Sequence, residues 1–114
     1  MNWRNEFRKD IKRKIKISKA EYKLYKETGS IIYLQQACNK LFSAVENYLM
    51  VKYNRKVESY QVLRGFVTNE KNKVMLRDAA QLHYFFYNGK LQMDNVDAES
   101  LYGSVFKRLK IEMK

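Results

Sequence analysis

A chain of 114 residues with no proline and only four glycines, Gly29, Gly65, Gly89 and Gly103, cannot change direction often. Strand-rich folds need turn residues at short intervals, whereas a few long helices need only a stop at each end. The sequence therefore predicts an all-α fold. Its length suits a single domain over 1–114, large enough to bury a core without disulfides or a structural metal.

Apolar residues at three-to-four spacing divide the chain into segments. A first helix is predicted from about Asn2 to Thr28, with Trp3, Phe7, Ile11, Ile15, Tyr22 and Tyr25 on its inner stripe. Gly29 stops it, and Ser30 caps a second helix from about Ile31 to Asn54, whose inner face holds Leu34, Ala37, Cys38, Leu41, Val45, Tyr48 and Leu49. Ser59 caps a short third helix reaching Val67. A fourth runs from about Glu70 to Asn88, where Asn88-Gly89 supplies the stop. A fifth, capped by Asp94 or Asp97, continues to about Glu112. The expected architecture is an antiparallel helical bundle of four long helices and one short one.

Net charge is the strongest bulk signal, at +11. Residues 1–26 hold ten Lys and Arg against three acids, which is +7, and the remaining 88 residues hold thirteen against nine, which is +4. On the first helix Arg4, Arg8, Lys12, Lys16, Lys19, Lys23 and Lys26 form a stripe one position round from the apolar one. Like charges four apart destabilise an isolated helix by a few tenths of a kcal/mol per pair, so a polyanion that neutralises them accounts for the row. An ordinary solvated face accounts for it too. An amphipathic helix lying on a membrane is a third reading, but its apolar side is needed for the core.

One cysteine, Cys38, excludes an intramolecular disulfide, and on an apolar face it reads as packing. With a single histidine as well, no metal site and no cofactor are expected. No apolar run approaches the roughly 20 residues that span a bilayer, and the first residues lack a signal peptide's apolar segment. No membrane association is expected, and the expected location is the cytoplasm.

The fourth helix carries the residues with chemistry. Arg77, Asp78 and the only histidine, His83, share it with the densest aromatic run, Tyr84-Phe85-Phe86-Tyr87. His83 reads either as a packed residue bonded to a neighbour such as a tyrosine hydroxyl, or as a proton carrier. Four consecutive aromatics cover most of the helix circumference. Some of them, Tyr84, Phe86 and Tyr87 among the candidates, are therefore expected against a partner subunit or stacked on bases.

The run Ala80-Gln81-Leu82-His83-Tyr84-Phe85-Phe86-Tyr87, a helix ending in Leu-His-x-x-Phe-Tyr, resembles the signature of archaeal PaREP-type proteins of the HEPN superfamily (higher eukaryotes and prokaryotes nucleotide-binding domain). The run Gln36-Ala37-Cys38-Asn39-Lys40-Leu41-Phe42-Ser43-Ala44-Val45 is similar to that family's second helix. The resemblance spans roughly residues 27–106. Phe85 departs from the family, which often has asparagine there, and from HEPN toxins, which often have tyrosine. Many HEPN proteins are metal-independent endoribonucleases with an Arg-x(4–6)-His motif, and Arg77 and His83 fit it with five intervening residues. The resemblance implies Arg77 as the phosphate-binding residue, His83 as the acid/base for attack by a ribose 2′-hydroxyl, and Asp78 in the orienting position. It further implies a homodimer with the site at its interface, and a nucleotidyltransferase antitoxin as a protein partner.

Metal-free RNA cleavage does need a proton carrier near neutral pH and a fixed cation. On one ideal helix, though, six positions turn through about 600°, so Arg77 and His83 point about 120° apart. A partner helix or a second subunit has to complete such a site. Two functions are therefore expected. One is a HEPN-like homodimer that binds RNA along its basic first helix, with or without cleaving it. The other is a non-catalytic protein-interaction module that docks a minimal nucleotidyltransferase or another protein and whose charge serves solubility. DNA binding has no recognition motif behind it.

Overall fold

The computed structural model describes residues 2–88 and 93–114, with 87 and 88 described by backbone alone. Gly89, read as the stop of the fourth helix, and the Tyr87 side chain, read as an interface group, lie outside the described residues. Among the described residues there are five α-helices and no strand: α1 (Trp3–Thr28), α2 (Ile31–Tyr53), α3 (Tyr60–Phe66), α4 (Glu70–Asn88) and α5 (Asn95–Glu112). No helix among them is long and apolar enough to cross a membrane.

Helix boundaries follow from side chains that satisfy the amides left over at each start. Asn2 accepts the Arg4 N–H at 3.0 Å, Ser59 that of Val62 at 3.2 Å, and Asn69 that of Asn72 at 3.1 Å. Of the two aspartates that fitted the start of α5, Asp94 is the cap, accepting the Asp97 N–H at 2.8 Å. Ser30 has the extended backbone of a cap but makes no capping bond with its side chain; its own N–H donates to Thr28 Oγ1. Gly29 and Asn54 close α1 and α2 in the left-handed region, at φ 75° and 56°. Glycine and asparagine enter that region at the least strain.

The spine of the molecule is α2. Its Leu34, Ala37, Cys38, Leu41, Ala44, Val45 and Leu49 are fully buried, and the other helices pack around it. Polar contacts give the directions. Arg4 donates to the Val51 carbonyl at one end of the α1–α2 pair and Ser18 to the Ala37 carbonyl towards the other, so the two helices are antiparallel. The Tyr53 hydroxyl accepts from the Asn69 N–H where α4 begins, while Gln35 donates to the Phe85 carbonyl near its end. Hence α4 also runs antiparallel to α2. Finally α5 meets α4 through Arg108 and Asp78, and α1 through Glu99 and Tyr25, antiparallel to both.

Ser18 occupies the gap in the apolar repeat of α1. Its hydroxyl donates to the Ala37 carbonyl at 2.7 Å and lies 2.8 Å from the Tyr102 hydroxyl, so one buried serine ties α1, α2 and α5 together. Ala37 beside it, and Ala44 about two turns further along α2, are fully buried and leave room for the close approach of α1. Cys38 packs in the same layer, and burial pushes its thiol up to about 12, which makes it an inert apolar filler. The aromatic run of α4 is split by the fold. Phe85 is 0% exposed inside this chain, Phe86 is half-buried, and Tyr84 keeps 49% of its surface in solvent.

Candidate functional site

Two separate surfaces carry the candidate residues. The first is a groove between α1 and α5. Lys12, Lys16 and Lys19 from α1 face Lys110 and Lys114 across a hollow of about 590 Å³ floored by Ile15 and Met113. The antiparallel pairing of the helices produces this: the middle of α1 lies beside the C-terminal end of α5, so the basic stripe of one meets the basic end of the other. Among the described residues, no Asp or Glu side chain lines the hollow.

The remaining cations of the α1 stripe are differently employed. Arg4 donates to the Val51 carbonyl at 3.2 Å and so caps the C-terminal end of α2. Arg8 bonds Asn5 at 2.9 Å on the exposed surface. Lys23 lies 3.9 Å from Glu27, and Lys26 forms a 2.8 Å ion pair with Glu99 of α5. The stripe is thus one row in sequence but four kinds of site in space. Lys12, Lys16 and Lys19 form the part that faces a groove.

The second surface is built by α2, α3 and α4. His83 lies in a cleft of about 370 Å³ with Phe42, Glu46, Tyr60, Gln61, Ala80 and Tyr84. Its ring stacks on Phe42 at 4.6 Å, and Nδ1 is 3.3 Å from the Asn39 side-chain oxygen, so one bonded neighbour is an asparagine. Burial lowers its pKa, which leaves the imidazole neutral near pH 7. With Nδ1 donating to Asn39, the basic lone pair sits on Nε2.

Arg77 and Asp78 do not join His83 in that cleft. Arg77 has a side chain 66% exposed and lines an adjoining hollow with Arg64 and Tyr60. Asp78, only 14% exposed, is held by Arg108 at 2.6 Å, a bond that clamps α4 to α5. Arg77 also touches Asp78, at a longer 3.4 Å. The divergence expected from helix geometry is therefore present within one chain. Tyr60 is the residue common to the Arg77 and His83 clefts.

Sequence reasoning missed Glu46, Asn39 and Tyr60. Glu46 is the only acid in α2, and with Asn39 and Phe42 it falls on one helical stripe, the signal that would have exposed it. Burial pushes its carboxyl up to about 7, with Lys14 opposing the shift. Lys14 itself is partly buried, donates to Ser43 at 2.6 Å and has its pKa lowered by burial. Because the folded-state value of Glu46 lies above the unfolded one, protonation favours folding. That contribution is fully present below about 4.5 and fades as pH rises through about 7. Glu46→Gln is expected to stabilise the protein at pH 8 by about 1–2 kcal/mol, after allowance for solvent screening, with little gain at pH 4.5. Urea denaturation at the two pH values measures it; an equal effect at both would contradict the assignment.

Among the described residues, no cluster of three or more His, Cys, Asp and Glu side chains is arranged to hold a metal ion. Compared with family models, curated proteins and solved structures, the chain gives no significant match.

Proposed function

We propose that this protein binds RNA along the α1–α5 groove. One observation carries the reading: five lysines, four on α1 and α5 and Lys114 just past the end of α5, surround a hollow that no Asp or Glu side chain among the described residues lines. Neighbouring like charges repel, and a polyanion lying between the rows removes that repulsion while its counterions are released. RNA, in preference to DNA, follows from the HEPN resemblance, in which the ribose 2′-hydroxyl is the nucleophile. The finer description proposed with it is a cytoplasmic bundle of four long helices and one short helix, read from the chain's own residues, which the resemblance makes HEPN-like and homodimeric. Titration of labelled RNA at increasing salt tests it. If five lysines neutralise phosphates, log K falls against log salt with a slope of about −3.5. Weak binding that ignores salt would instead favour the protein-interaction module.

Cleavage is a second reading, favoured by Tyr60, which lines both the His83 cleft and the Arg77 hollow. Asp78, held by Arg108, would orient Arg77, which it touches. The groove and the His83 cleft share no helix. A strand held by one protomer therefore meets this chemistry on a partner, with Tyr84 and Phe86 as contacts between subunits. A nucleotidyltransferase antitoxin would act by covering that face. Incubation with RNA in EDTA decides: cleavage lost in His83→Ala and Arg77→Ala with binding retained supports the reading, and equal cleavage by all three proteins removes it.

A further inference from the structure

The α1–α5 groove carries more than charge. Past Lys19, which borders both, it continues into a second hollow of about 260 Å³ lined by Tyr22, Tyr102, Gly103, Phe106 and Lys107. Tyr22 and Tyr102 stack with centroids 4.5 Å apart and planes 4° from parallel, and Phe106 lies 5.9 Å from Tyr102. Tyr22 and Phe106 are half-buried, so each presents part of its ring to the hollow. Ile15 and Met113 extend the apolar floor beneath the lysines. Gly103 stands in the middle of α5, where glycine is less favourable than alanine. A Cβ built there meets nothing within 4 Å, so packing does not demand the glycine; its effect is to leave the hollow uncovered.

A charged rim over a flat apolar floor matches one kind of polyanion. A duplex presents phosphates and hides its base faces, so it would satisfy the lysines and leave the rings in water. An anionic lipid surface offers charge without flat rings. An unpaired strand offers both, because its bases have open faces that stack on aromatic side chains whatever their sequence. Resting on the RNA reading above, we infer that the α1–α5 groove takes single-stranded nucleic acid, its phosphates along the lysine rows and its bases on Tyr22 and Phe106.

Fluorescence anisotropy with a labelled RNA of about 12 nucleotides, free and annealed to its complement, tests this, with phosphatidylserine vesicles as a third arm. The unpaired form is expected to bind at least about tenfold more tightly than the duplex. Phe106→Ala removes a ring. Gly103→Leu fills the hollow from an exposed helix position that favours the helix, so it keeps the test valid if the first variant fails to fold. Each is expected to weaken unpaired-strand binding about tenfold and to change duplex binding by less than about twofold. Equal affinity for both RNA forms, or unpaired-strand binding unchanged in Gly103→Leu, would overturn the inference and leave RNA binding intact. Binding to vesicles but to neither RNA would overturn both.

Discussion

Replacing Lys12, Lys16 and Lys19 together by glutamine should lower affinity for unpaired RNA about a hundredfold at 0.1 M salt. Each phosphate contact with a single strand releases about 0.7 of a counterion, a factor of about five at that salt, and three contacts multiply to about a hundred. The salt slope should flatten by about 2 in the same variant. A charge-matched control separates this from bulk attraction. Lys9, Arg55 and Lys56 are exposed outside the groove and outside the clefts around Arg77 and His83, and their replacement by glutamine removes the same charge. If net charge alone drew RNA to the protein, both triple variants would lose affinity equally. If the groove holds the backbone, the control keeps most of it.

The second large effect concerns stability. Phe85→Ala should destabilise the protein by about 3–5 kcal/mol, because Phe85 is fully enclosed and its loss leaves a cavity that the helices cannot collapse to fill. Tyr84→Ala, one position away, should change stability by less than about 1 kcal/mol, since that ring is half in solvent. Urea denaturation of both variants measures the contrast. Similar values for the two would mean that Phe85 is not part of this chain's own core.

Much of the fold was legible in the sequence because its signals are local. The lack of proline, the helical spacing of apolar residues, and Gly29, Ser59 and Asp94 at element ends act within a turn or two of themselves. They predicted an all-helical molecule, and the described residues form five packed helices. Ser18 was not legible as a core residue. A serine in an apolar stripe reads as a defect until the Ala37 carbonyl and Tyr102 hydroxyl arrive from two other helices.

The site was legible only as residue types. Periodicity put Lys12, Lys16 and Lys19 in one row, but their facing partners Lys110 and Lys114 lie more than ninety residues away in sequence, and only the direction of α5 brings them across. The same row hid that Arg4 is committed to the end of α2, since that role depends on a carbonyl at Val51. Asp78 presents the same difficulty. Next to Arg77 it reads as part of a motif, yet its short bond is to Arg108 on another helix. Glu46 was overlooked because a glutamate within a helix usually marks the wet side. Burial beside Phe42, Tyr60 and His83 gives it a different proton affinity.

The most direct test of the central claim is a residue-resolved map of where RNA touches. Titrating isotopically labelled protein with a short unpaired RNA, and following backbone amide shifts by NMR, supplies it. The expected result is perturbation concentrated in residues 12–22 and 102–114, along both walls of the α1–α5 groove. Perturbation centred instead on Phe42, Glu46, Tyr60 and His83, with the lysine rows unmoved, would contradict the account.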